Sequence, residues 1–304
     1  MSRRLQMLQV ARLAQRTLGD AAELVVKYIK SLSTPEGGYA NRGGQPDLYY
    51  TPFALDCLVA LTTSPNDEIN LKKTNMTREW LQAFGDGASL DFVHRCCLAR
   101  AWASQPTTTL DKTVRASLVK RIESTRSKDG GFAAVSGAKE GTAYGCFLAI
   151  NAFADLQQPP LSSDDRKGIA NCLESLRTQD GGWANAVGQQ RGSTTASAAA
   201  IATLASLELG VPKKSAEFLL AQQHSSGGFV AAPEVPMPDL LSTAVALHAL
   251  DTLEHEWRDS QELVLDFLDS LWSAEGAFHG SWADDEPDVE YTFYGLVALG
   301  HASV

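Results

Sequence analysis

Apolar residues recur at helical spacing along almost the whole chain, and a short polar break containing glycine interrupts them six times. The segments read YIKSLSTPEGGY to Tyr39, WLQAFGDGAS to Ser89, RIESTRSKDGGF to Phe132, CLESLRTQDGGW to Trp183, FLLAQQHSSGGF to Phe229 and FLDSLWSAEGAF to Phe278. The glycines that align between them, Gly37, Gly87, Gly130, Gly181, Gly227 and Gly276, are 50, 43, 51, 46 and 49 residues apart. A period in that range marks a helix-pair unit stacked on copies of itself. The second copy lacks both the double glycine and the aromatic. Leaving it out would open a gap of 93 residues between Gly37 and Gly130, so six copies are read rather than five. Glycine suits a helix stop where the chain takes a positive φ. The aromatic that follows predicts a plug between neighbouring units.

Each break leads through a variable loop into a second helix. These helices read PDLYYTPFALDCLVAL, LDFVHRCCLARAWA, GTAYGCFLAINAFADL, STTASAAAIATLASL, PDLLSTAVALHAL and PDVEYTFYGLVALG. Aligned on Asp47, Asp91, Asp239 and Asp288, the residue four later is Thr51, Arg95, Thr243 and Thr292, and small or apolar residues follow at helical spacing. They are dense in Ala, Gly and Ser, whereas the first helices, such as LVKRIESTR, carry more charge. The contrast predicts an inner ring of closely packed helices and an outer, solvated ring. An open solenoid needs polar caps at its ends, but the last copy runs to an apolar GLVALGHASV. The expected fold is therefore all-α, a closed α6/α6 barrel (toroid) of six helix pairs over residues 21–304, with residues 1–20 as an N-terminal helical arm.

Composition narrows the partners. Among 304 residues, 26 Lys and Arg face 36 Asp and Glu, a net charge of −10. Such a chain has no basic surplus to displace phosphate counterions, which argues against nucleic acid. No run approaches the roughly 20 apolar residues of a membrane span. Met1 to Asp20 carries four arginines and no continuous apolar stretch, unlike a secretory signal. The odd count of five cysteines reads as free thiols, and with the missing signal this predicts a cytoplasmic protein. Nucleotide-binding glycine motifs are missing as well.

The repeat resembles that of the prenyltransferase and squalene-cyclase family, whose signature is glutamine, three residues, glycine, one residue and an aromatic. Gln223 to Phe229 (QHSSGGF) fits it, and most other copies keep its glycine-aromatic part. The resemblance covers residue 21 to the end and implies a deep apolar cavity for an isoprenoid or another apolar small molecule. In the protein prenyltransferase β-subunit branch, one inner helix begins Asp-x-Cys and the next carries a His, together binding zinc. Here PDLLST and PDVEYT stand at those places: Asp239 matches, but Leu241 replaces the cysteine and Tyr291 the histidine. Leucine donates nothing, so zinc is expected to be absent. The preceding GGFVAAPEVPMPD also lacks the basic residues that hold a diphosphate. The ADDEPD stretch around Asp284, Asp285 and Glu286 could attract Mg2+, but nothing in it fixes a geometry. Because such β subunits work beside a helical α subunit, a helical protein partner is the alternative the resemblance offers. A non-catalytic isoprenoid binder is another.

In the class II terpene cyclase branch, the middle aspartate of Asp-x-Asp-Asp-Thr protonates an alkene. Asp288-Val289-Glu290-Tyr291-Thr292 has the same spacing, with Glu290 at the acid's place. A lone carboxyl in an apolar cavity has a raised pKa and can act as a proton donor. The plain alternative is that Asp288 and Glu290 cap a helix. Because every unit repeats the same outer-turn-inner order, the inner-helix heads should share one rim. Asp288, Glu290 and Tyr291 are the candidate catalytic residues. Asp47, Tyr50, Asp91, His94, Arg95, Tyr144 and Asp239 are the candidate ligand-binding ones, with Arg95 read as an anion clamp or as half of an ion pair between helices.

Overall fold

The computed structural model describes residues 3–62, 68–105 and 110–303. Of the expected arm and barrel, residues 1, 2, 63–67, 106–109 and 304 lie outside these residues. The chain opens with α1 (Arg3–Leu13) and the single turn α2 (Gln15–Leu18). Six outer-inner pairs follow among the described residues. The first joins α3 (Ala21–Ser31) to α4 (Tyr50–Leu61), and the second α5 (Glu68–Gln82) to α6 (Phe92–Ala103). The third joins α7 (Lys112–Glu123) to α8 (Ala143–Asp155), and the fourth α9 (Ser163–Ser175) to α10 (Thr194–Ser206). The last two join α11 (Lys214–Leu220) to α12 (Leu240–Thr252) and α13 (Gln261–Ser270) to α14 (Val289–His301). Each inner helix packs on the next, and α14 packs on α4, so the ring closes as an α/α toroid.

The glycine turns stitch the units together. Gly227, at φ 96°, lies so close to the backbone of Leu263 in the next outer helix that an added Cβ would come within 2.1 Å of it. No side chain fits there. The aromatics that follow, Phe132, Trp183, Phe229 and Phe278, are fully buried plugs. Burying such a ring is worth about 1.5–3 kcal/mol. The polar residue four positions after the head residue Asp47, Ser193, Asp239 or Asp288 holds the plug's backbone: Thr51, Ser197, Thr243 and Thr292 accept the amide protons of Tyr39, Trp183, Phe229 and Phe278 at 2.9–3.2 Å. Sequence periodicity at that position thus encodes a hydrogen bond inside four of the six units.

Inner-helix heads are capped by side chains. Asp91, Thr142, Ser193, Asp239 and Asp288 each accept a backbone N–H three residues on, satisfying a donor the helix would otherwise leave unpaired. The opposite ends of the inner helices are covered by α1. Arg4 bonds Asp155 at the end of α8, Asp56 of α4, the hydroxyl of Ser104 and the carbonyl of Ala103 at the end of α6. Gln15 reaches the carbonyl of Ala60, and Gly300 of α14 lies against the backbone of Val10. Thus α1 lies across the lower ends of α4, α6, α8 and α14. All five cysteines are buried free thiols.

Candidate active site

Inside the ring lies a cavity of about 330 Å3, at the small end of the roughly 300–1,000 Å3 that ligand sites occupy. Its floor includes Met7 of α1. One wall is aromatic, from Tyr49, Tyr144, Phe147, Phe293 and Tyr294, and another is the alanine face of α10, with Ala196, Ala198, Ala199 and Ala202. Small residues on α10 leave the space that Tyr49, just before α4, and the aromatics of α8 and α14 line. Besides the tyrosine hydroxyls and Thr195, the polar side chains Glu290, Arg100, His248 and Asn185 reach this lining from separate elements.

Glu290 is the carboxylate of the lining. Tyr49 donates its hydroxyl to Glu290 Oε1 at 2.7 Å, across the seam between the sixth and first units. Burial raises the carboxyl pKa, and the tyrosine hydrogen bond only partly offsets this. Burial likewise pushes the Tyr49, Tyr144 and Tyr294 phenols well above their ordinary value, so all three are neutral donors. Arg100 is a cation without free charge. Its Nε donates to Asp56 at 2.7 Å, and its guanidinium lies 4.4 Å and 4.9 Å from the ring centres of Phe53 and Phe293. Asp56, fully buried, also accepts from Arg4 and Ser104. His248 Nδ1 contacts His301 Nε2 at 3.1 Å.

Of the ten residues proposed from sequence, Glu290 and Tyr144 line this cavity. The other eight are placed as follows. Asp288 caps α14 and binds Arg42 Nε at 2.9 Å, and the Tyr50 hydroxyl approaches the same oxygen at 3.5 Å. Asp47 accepts from the backbone of Tyr49 and from Asn41. Asp91 caps α6 and contacts the His94 ring at 2.9 Å at the exposed surface. Arg95 donates to the carbonyl of Gly87, which ties α6 to its own unit's glycine turn by a bond of the opposite direction to the one threonine accepts elsewhere. Asp239 is bound to the amide and hydroxyl of Ser242. Tyr291 packs against Gly280 with the Arg42 guanidinium 5.8 Å from its ring centre. Sequence reasoning missed Arg100, Asn185 and His248, and left Tyr49 and Tyr294 outside the ten although as tyrosines near the helix heads they could line a cavity. The signal for Tyr49 and Tyr294 was an excess of tyrosine near the helix heads. No local pattern marks His248, two turns down α12.

Leu241 also lines the cavity. Among the described residues no group of three or more His, Cys, Asp or Glu side chains could hold a metal ion. Residues Leu241 and Tyr291 do not fit the zinc that the resemblance associates with those places. No described helix is long and apolar enough to cross a membrane.

A closed double ring of helices around an apolar, polar-tipped cavity defines an α/α toroid. The family model of the prenyltransferase alpha-alpha toroid domain matches residues 3–144, 138–215 and 197–302, and the chain belongs to this family. No curated protein matches it significantly in sequence. Among solved structures it is similar to the Candida albicans protein geranylgeranyltransferase-I complexed with GGPP, with a TM-score of 0.66, 12% identity and coverage of 91% of this chain and 90% of that one. It is also similar to the Scytonema type II terpene cyclase MstE in complex with geranylgeranyl dihydroxybenzoate, with a TM-score of 0.59, 13% identity and coverage of 96% and 97%. An alpha-1,6-mannanase of Salegentibacter is as similar, with a TM-score of 0.63, 14% identity and coverage of 94% and 98%. At these identities the likeness is one of fold, and function has to be argued from the site.

Proposed function

We propose that the chain binds an apolar, isoprenoid-like molecule in the toroid cavity and acts on it by proton transfer from Glu290, without zinc. The observation that carries this reading is one buried carboxyl, raised in pKa and held by Tyr49, facing aromatic and alanine walls. In the step itself, the Glu290 O–H bond breaks and its proton joins an alkene carbon of the ligand. The alkene π pair forms the new C–H bond, leaving a carbocation on the more substituted carbon. Aromatic faces attract such a cation, and Arg100 opposes it little because Asp56 neutralises the guanidinium. The terpene cyclase and geranylgeranyltransferase neighbours handle geranylgeranyl compounds, which supports an isoprenoid over other apolar ligands.

The mannanase likeness favours no second reading. Glycoside hydrolysis uses two carboxylates about 5–9.5 Å apart. Among the described lining residues Glu290 is the sole carboxylate, and Asp288 beside it is bound to Arg42 and a helix cap.

The test is incubation of the purified protein with farnesol or geranylgeraniol, with native mass spectrometry for binding and gas chromatography–mass spectrometry for products. Retained ligand and isomerised or cyclised products, lost in Glu290→Gln, are expected. Absence of binding, or identical products from Glu290→Gln, would overturn the reading.

A further inference from the structure

The second residue of four consecutive inner helices lines the cavity: Tyr144 of α8, Thr195 of α10, Leu241 of α12 and Glu290 of α14. This position sets the chemistry of the rim unit by unit. One loop side chain joins them, that of Asn185, two residues after the plug Trp183. Asn185 is exposed and Tyr144 is 42% exposed, so the cavity meets solvent here. The Asn185 carbonyl accepts the N–H of Ala143 at 3.2 Å, and its Oδ1 accepts the N–H of Tyr144 at 3.0 Å. Both bonds cross the seam between the third and fourth units. Gln189 Oε1 accepts the N–H of Asn185 at 3.1 Å and fixes the loop. A backbone N–H can be met only by the oxygen of the amide, so its NH2 end is the free one. Among the described residues neither Asn185 Nδ2 nor the Thr195 hydroxyl has a protein partner. The backbone bond recurs at the next two seams, where Ala231 accepts from Thr194 at 2.9 Å and Gly280 from Leu240 at 2.8 Å. Those seams close with no polar side chain at this place, so the fold itself does not require an asparagine.

We propose that Asn185, with Thr195 of the same unit, holds an uncharged oxygen function of the ligand, a hydroxyl or a carbonyl, at the rim. The site thereby selects an oxygen-ended prenyl compound over a bare hydrocarbon and over a diphosphate. This rests on the reading of the cavity as an isoprenoid site and names its substrate class. Both donors are neutral, whereas a diphosphate is held by charge-assisted hydrogen bonds from cations. The cation on the lining is Arg100, and Asp56 already takes its Nε–H at 2.7 Å. In a ring of six units, the seam between the third and fourth lies opposite the one between the sixth and first, where Tyr49 meets Glu290. An oxygen held at Asn185 is therefore kept across the rim from the acid. Glu290 then faces the hydrocarbon part, its proton goes to an alkene carbon, and the C–O bond of the ligand stays intact. Asn185 decides specificity and transfers no proton.

Competition between ligands on the full chain, read by native mass spectrometry, tests this. The probes share one carbon skeleton: farnesol, the aldehyde farnesal, whose oxygen only accepts, the hydrocarbon farnesene, and farnesyl diphosphate. The wild type should prefer farnesol and farnesal to farnesene by roughly three- to ten-fold, the usual worth of one uncharged hydrogen bond. Farnesyl diphosphate should bind no tighter than farnesol. Asn185→Ala should remove the preference and leave farnesene binding unchanged. Asn185→Asp keeps an oxygen for the Tyr144 N–H but loses the donor, so it should lose the preference for farnesal with the fold intact. A loss shared equally by farnesol, farnesal and farnesene would mean a structural role and would overturn the proposal. So would a preference that survives in both variants, or tighter binding of the diphosphate. Binding with these preferences but no conversion would end the acid role of Glu290 and leave the oxygen subsite standing. Products of farnesol that have lost the oxygen would overturn the subsite and leave the acid. No binding of any probe would end both.

Discussion

Gly276 lies against Leu24: a Cβ on that glycine would come within 2.5 Å of the Leu24 carbonyl carbon. This contact joins the last glycine turn to the first outer helix, so it seals the ring where chain continuity does not. Gly188 offers a matched control. Its φ of 89° is nearly that of Gly276 at 88°, but nothing lies within 4 Å of its added Cβ. Gly188→Ala is expected to cost only the left-handed backbone penalty, about 1–2 kcal/mol. Gly276→Ala should add about 1–3 kcal/mol of overpacking. Thermal denaturation of the two variants checks the order.

The six units were legible because each glycine turn has a strict local requirement, and the closed ring because the last unit stays apolar to its end. The path of α1 was not legible. Arg4 finds Asp56 and Asp155 at separations of 52 and 151 residues, and no local pattern encodes such partners. The site was legible only in part for a related reason. Aspartate at a helix head signals a cap as readily as a catalytic group, and Asp91, Asp239 and Asp288 are all caps. Glu290 stood out by filling the acid's place in a known motif. His248 sits mid-helix among apolar residues and gains meaning only from His301, 53 positions away.

A second seal is polar. Arg42 of the first unit forks onto both oxygens of Asp284 at 2.7 Å and also binds Asp288, which is 4% exposed. Arg42→Ala should leave Asp288 short of a cation. The expected loss lies between the ~1 kcal/mol of an exposed pair and the ~3–5 kcal/mol of breaking a buried one. Arg42→Lys keeps the charge but not the fork, so it should fall in between. Urea denaturation measures both.

Asp155 predicts how stability depends on pH. Burial raises its pKa to about 6, against the opposing pull of Arg4. A raised folded pKa favours the folded state at low pH, below the unfolded value near 3.9, and that contribution is lost as pH rises through about 6. At ~1.4 kcal/mol per pH unit, the loss is of order 2–3 kcal/mol by pH 7. In Asp155→Asn this part of the pH dependence should vanish, so the difference in melting temperature between variant and wild type should change from pH 4 to pH 7. A constant difference would contradict the assignment.

Leu241 and Tyr291 predict the metal content. Neither side chain is a zinc ligand of the usual kind; one lines the cavity and the other packs on Gly280. Metal analysis of the purified protein should find no stoichiometric zinc, and a chelator should leave its melting temperature and ligand binding unchanged. About one zinc per chain would contradict this.

The hydrogen bond from Tyr49 to Glu290 predicts a pH profile. Burial raises the Glu290 pKa, and the phenol donor lowers it by favouring the carboxylate. Tyr49→Phe removes the donor and keeps the ring, so the pKa should rise further. As an acid, Glu290 works only when protonated, and activity should fall as pH rises through its pKa. In Tyr49→Phe that alkaline limb should move to higher pH with the products unchanged. Glu290→Gln should lower turnover by about 10²–10⁴-fold, the usual contribution of a general acid. The same sign governs stability: the Glu290 contribution is full below its unfolded pKa and is lost as pH rises through the folded value. Glu290→Gln should therefore gain on the wild type in melting temperature as pH increases. A limb that stays in place in Tyr49→Phe would show that the titrating acid is a different group.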